Sequence, residues 1–194
     1  LRWAQTHVSV SVCMQALAEL AGEVPTVCCV MGASAGHGAL TAPLMDFVVM
    51  VEGAALFSAG PPLVEAAMGQ KVTKEELGGA QVHGKNGVVD NVSDDEHHAF
   101  QQIRQFLGYL PSNVWELPPV SDTDDRVDRR AHELIEIVPR NRRKLYDMRH
   151  LLTLIMDAGS VFEMGVEYGL GLIVGLARLN GQPVGVVAND CGYL

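Results

Sequence analysis

The sequence predicts an α/β fold, and four stretches carry that expectation. Two short apolar runs, "VPTVCCVMG" and Phe47 to Val51, read as buried strands bounded by turn-forming residues. "SDDEHHAFQQIRQFLGYLP" is the clearest helix, and "LIVGLARLNGQPVGVVAND" places two apolar runs around Asn180-Gly181, the strongest short hairpin signal. With 194 residues, 48% hydrophobic and 19% charged, the chain has enough apolar material for a sizeable core.

Each element follows from local pattern. Val8, Val12, Ala16 and Leu20 lie four apart, a helical stripe ending at Gly22; alternating Val8, Val10 and Val12 keep a strand open for its first half. "FSAGPPLVEAAMG" reads as a turn and a short helix, with Pro62 at the first helical position. "VTKEELGGAQVHGKNGVVDNV" reads as loop-rich, punctuated by Gly78-Gly79 and Asn86-Gly87. In the long helix, Ser93 and Glu96 predict a capping box, and Phe100, Ile103, Phe106, Leu107 and Leu110 the buried stripe. Ser112 to Arg130 is rich in proline and aspartate and reads as a linker. A further helix then carries Leu151, Leu152, Ile155 and Met156 on one face. This order predicts a domain boundary between Asp122 and Asp147.

The net charge of −9 argues against a nucleic-acid surface, and the basic run "RNRRK" at Arg140 to Lys144 reads as solvated surface. No run approaches the ~20 apolar residues a membrane span needs. The four cysteines, Cys13, Cys28, Cys29 and Cys191, lack metal or redox spacing, which suggests a reducing compartment. His97 and His98 are successive helical residues pointing apart, so no metal site is expected. The first residue is Leu1 and no targeting pattern is legible, so a piece of something longer is expected.

"VMGASAGHGALTAP" is the stretch with chemical content. Its glycines run G-x-x-x-G-x-G, against the dinucleotide fingerprint; no lysine follows for a phosphate loop, and Ser34 sits in the wrong frame for a nucleophile elbow. Two readings stay open. The glycines serve strand-to-helix packing alone, or a strand ending in small residues presents free helix N–H groups to a developing oxyanion.

Together with "AGPPLVEAA", "EELGGAQVH", "DDEHHAF", "YLPSN" and "LIVGLARLNGQPVGVVAN", this stretch resembles the carboxyltransferase (β) subunits of biotin-dependent acyl-CoA carboxylases of the propionyl-CoA and methylcrotonoyl-CoA type, within the crotonase superfamily. The resemblance implies a crotonase-like spiral of ββα units. Residues 1–121 would be the later part of an N-terminal domain, 122–146 a linking segment, and 147–194 the start of a second, truncated domain. It implies transfer of a carboxyl group from carboxybiotin to the α-carbon of an acyl-CoA through a thioester enolate. Gly36 and His37 would give the backbone N–H pair, with Gly38 lending conformational freedom because a histidine stands where many members have glycine. Ala35, Ala59, Gly60, Pro61, Gly78 and Gly79 would border the acyl-CoA, and Lys71, Lys74 and Lys85 could reach its phosphates. Implied partners are a biotin carboxylase and a biotin carboxyl carrier, in a hexamer built from dimers, cytoplasmic or in the mitochondrial matrix. The alternatives are a hydratase or isomerase using Glu52 or Glu65 as base, a biotin-dependent decarboxylase subunit, or a non-catalytic assembly piece.

Overall fold

The computed structural model describes residues 10–126, 128–141 and 143–193, with side chains from residue 12 onward. Helix α1 (Val10–Leu20) resolves the first ambiguity in favour of helix. Val8 of its predicted stripe lies outside the described residues, and Val12 and Leu20 are exposed.

Next in the chain are β1 (Val27–Val30), β2 (Ala33–Ala35) and α2 (His37–Thr41), then a 3₁₀ turn at Ala42–Leu44. The order recurs in β3 (Phe47–Val51), β4 (Ala55–Phe57) and the helices α3 (Pro61–Met68), α4 (Lys74–Gly78) and α5 (Ala80–Asn86). It begins again with β5 (Asn91–Ser93) and α6 (Glu96–Tyr109). First strands pair in parallel in the order β1-β3-β5, while second strands β2 and β4 form a separate parallel pair. This is the repeated ββα unit of a crotonase-like fold.

β3 is the centre because its five residues are all buried, as a central parallel strand requires. The two-residue period sends Phe47, Val49 and Val51 towards Ala99, Phe106 and Tyr109 of α6. Val48 and Met50 face Val30, Ala42, Leu56 and Val89 on the other side. β1 is an edge strand and only Val30 of it is buried, so the strand predicted as buried is half-covered. Burial still pushes the Cys28 and Cys29 thiols up, the second also through Cys28 and Glu96.

Local reading misplaced several details. The stretch expected to be loop contains α4 and α5, and the capping box belongs to Thr73 and Glu76. Ser93 instead lies in β5, its hydroxyl donating to the Asp95 carbonyl, and Asp95 caps α6 through the His98 N–H at 2.7 Å. The buried face of α6 is Ala99, Gln102, Phe106 and Tyr109, with Phe100 and Leu107 exposed. Pro61, not Pro62, opens α3.

After an extended stretch come α7 (Leu134–Ile137), α8 (Met148–Ile155) and the antiparallel sheet β6 (Phe162–Met164), β7 (Leu172–Leu179) and β8 (Gln182–Asn189). On α8, Leu152 is buried and Ile155 exposed. The hairpin turns at Asn180 (φ 50) and Gly181 (φ 75), as its sequence predicted. Asp157 accepts from both turn N–H groups, at 2.9 and 2.7 Å. The sheet joins the first core through Phe162, whose ring centroid lies 5.5 Å from that of Phe47. Arg178 donates to the carbonyls of Pro119, Gly181 and Gly108 and lies over the Tyr109 ring. It thus ties the extended stretch, the hairpin and α6 together.

Candidate functional site

β2 and β4 run in parallel with Ala35 opposite Phe57, so the chain leaves both strands at the same end of the pair. After Ala35 the backbone turns at Gly36, whose φ of 68° and ψ of −130° only glycine adopts without strain. The Gly36 N–H donates to the Phe57 carbonyl at 3.1 Å, and the Gly36 carbonyl accepts from the Ala39 N–H at 3.0 Å. The N–H groups of His37 and Gly38, the first two of α2, lie too early for an intrahelical bond. Among the described residues neither has a partner. Both residues are exposed.

The small residues around them have separate reasons. A Cβ at Gly38 would sit 2.9 Å from Ser34 Oγ, so glycine lets α2 fold back closely on β2. The Thr41 hydroxyl donates to the Gly38 carbonyl at 2.9 Å, tying the end of this helix to its beginning. A cavity of about 190 Å³ adjoins the turn, lined by the segment from Cys28 to Ser34 with Gly38, Ala42 and Leu56.

The other predicted residues divide into two groups. Ala59, Gly60 and Pro61 come after β4 and lead into α3, with Gly60 as its N-cap in extended conformation. They therefore share the strand-end region with the Gly36 turn. Gly78 and Gly79 are buried under β4: a Cβ on Gly78 would come within 2.0 Å of the Leu56 carbonyl oxygen, and Gly79 bridges to Ala55. Lys71 faces Glu65 at 3.8 Å on the exposed surface. Glu52 accepts from Gln81 at 3.1 Å, and it too is exposed. The Phe57 carbonyl, which holds the turn, escaped the sequence because nothing local announces that β2 pairs with β4.

A family model described as "Carboxyl transferase domain" matches residues 8–193. The chain belongs to the carboxyl transferase domain family. It is 39% identical over 174 residues to a propionyl-CoA carboxylase carboxyltransferase subunit of Haloferax mediterranei, covering 89% of this chain and 34% of that protein. It is 35% identical over 171 residues to the methylmalonyl-CoA decarboxylase subunit alpha of Veillonella parvula, with 87% and 34% covered. Its fold superposes on transcarboxylase 12S, solved as a hexamer with methylmalonyl-coenzyme A and methylmalonic acid bound, with a TM-score of 0.90 and 32% identity over 94% of this chain and 36% of that one. This carboxyl transferase domain thus spans about a third of the length of the relatives it matches.

Proposed function

We propose that the chain supplies the acyl-CoA-holding part of a biotin-dependent carboxyltransferase that moves a carboxyl group to the α-carbon of an acyl-CoA. The observation that carries this reading is the unengaged N–H pair of His37 and Gly38 at a turn of small residues, in a carboxyl transferase domain. Loss of the α-proton places negative charge on the thioester oxygen. Fixed backbone donors stabilise that charge without reorganising at the moment of reaction.

The donor pair is thereby one residue further along than the Gly36–His37 pair the resemblance implied. Gly36 makes the corner, with its own N–H occupied by Phe57, and His37 acts through its main chain. Ala35, Ala59, Gly60 and Pro61 border the substrate, and Gly78 and Gly79 support β4 from beneath. Bound carboxybiotin would supply both the carboxyl group and a basic ureido nitrogen for the α-proton, so the chain needs no base of its own. Glu52 and Glu65 are each engaged on the exposed surface, which favours this reading over a hydratase or isomerase. In the whole protein the partners are a biotin carboxylase and a biotin carboxyl carrier, and the chain assembles with copies of itself, as the hexameric transcarboxylase 12S does.

A second reading, decarboxylation, draws on the similarity to a methylmalonyl-CoA decarboxylase subunit. The test uses the full-length assembly with carboxylated biotin and acetyl-, propionyl-, methylcrotonoyl- and long-chain acyl-CoA. Carboxylation of at least one is expected. Transfer to none of them contradicts the proposal, and biotin-dependent loss of the carboxyl group from methylmalonyl-CoA without such transfer favours the second reading.

A further inference from the structure

We propose that His83 is a positioning residue for the Gly36 turn, acting through β4; the inference rests on the proposed carboxyltransferase function. Among the described residues β2 and β4 make a two-stranded sheet, an arrangement with little stability of its own. Successive carbonyls of a strand point to opposite edges. The Phe57 carbonyl faces β2 and takes the Gly36 N–H, so the Leu56 carbonyl faces the other edge, where among the described residues Gly79 bridges to Ala55 but no strand pairs.

His83 of α5 meets that carbonyl with its Nε2 at 2.6 Å. A carbonyl only accepts, so Nε2 carries a proton, and a donor facing Nδ1 makes that nitrogen the acceptor. Nδ1 has a donor: the Asn86 side-chain amide at 3.3 Å. That amide is oriented in turn by its Oδ1, which accepts the Val88 N–H at 3.1 Å. A continuous relay therefore runs from Val88 through Asn86 and the imidazole to Leu56. Glycine at 78 leaves room for this contact, since a Cβ there would lie 2.0 Å from the Leu56 carbonyl oxygen and 2.9 Å from Nε2. Beside the Gly79 bridge, the imidazole gives the outer edge of β4 a further bond, one peptide unit from the carbonyl that holds the Gly36 N–H.

The test compares His83→Leu, which keeps bulk and loses the donor, with His83→Gln, whose side-chain amide can reach Leu56. Both are made in the full-length assembly, with hydrogen exchange of residues 33–38 and 47–51 measured beside kcat and KM for an acyl-CoA substrate. His83→Leu should raise exchange in 33–38 but not in 47–51, and lower kcat by roughly 10–100-fold with KM changed by less than about three-fold. His83→Gln should restore most of both. Unchanged exchange in a folded His83→Leu assembly overturns the proposal, and so does a His83→Gln variant as impaired as His83→Leu. If His83→Leu does not assemble, Asn86→Ala, which frees the ring, should move both readouts in the same direction by less, and no movement overturns the proposal. A wild-type assembly that carboxylates no acyl-CoA refutes the functional reading, while the exchange measurement still decides whether His83 holds the turn.

Discussion

At the scale of single residues, the site depends on where one backbone dihedral falls. Gly36 has open space where a Cβ would be, so a side chain there meets no neighbour. Its φ of 68° and ψ of −130° nevertheless exclude other residues, and a change to alanine acts through conformation alone. Gly36→Ala should cost ~1–3 kcal/mol of stability and lower carboxyl transfer by turning the two donors away. Denaturant unfolding and turnover measured on one preparation check this, and an alanine variant unchanged in both would refute it. Gly181 differs: its φ is also positive, at 75°, but a Cβ would come 2.0 Å from the Ser121 carbonyl oxygen. There glycine is needed for space as well as for conformation.

At the scale of elements, Asp90 joins β3 to the segment entering β5. Its carboxylate accepts the Val48 N–H at 2.7 Å, while its own N–H donates to the Val48 carbonyl at 2.9 Å. Burial raises its pKa above the ordinary 3.8, against the lowering effect of the Val48 N–H. A carboxyl with a raised folded pKa binds more protons in the folded chain, so its contribution is full below the ordinary value and declines as pH rises through the raised one. Asp90→Asn keeps an acceptor for Val48 and has no charge to desolvate. It should be at least as stable as wild type at pH 7, with the difference vanishing towards pH 3. Asp90→Ala should lose ~1–3 kcal/mol, because the Val48 N–H is left without an acceptor. Urea midpoints at several pH values test both, and an alanine variant as stable as wild type would count against this role for Asp90.

At the scale of the whole molecule, the later sheet and the first core share Phe162, buried against Phe47 and near Tyr109. Phe162→Ala should cost ~3–5 kcal/mol, read as a shift of the unfolding midpoint, and a loss under 1 kcal/mol would mean that this contact is incidental. The pattern of what the sequence disclosed follows from range. Phe47–Val51 and the Asn180-Gly181 hairpin were legible because burial and turn chemistry are written in adjacent residues. Gly78 and Gly79 looked like loop because glycine weakens helices, whereas here they pack against the β4 backbone, a contact no local pattern carries. Which N–H groups at the turn lack a partner was hidden for a related reason. That the Gly36 N–H is taken depends on Phe57, which enters through strand pairing 21 residues away.

In the proposed function, main-chain donors, not the imidazole of His37, hold the reacting oxygen. The most direct measurement is the rate of carboxyl transfer to an acyl-CoA by assemblies carrying His37→Ala or His37→Pro. Alanine keeps the N–H and proline removes it while suiting the first turn of a helix. The alanine variant should stay within about three-fold of wild type, and the proline variant should lose ~10²–10³-fold. A folded His37→Ala assembly that loses as much as His37→Pro, or a His37→Pro assembly that keeps its rate, would contradict the claim.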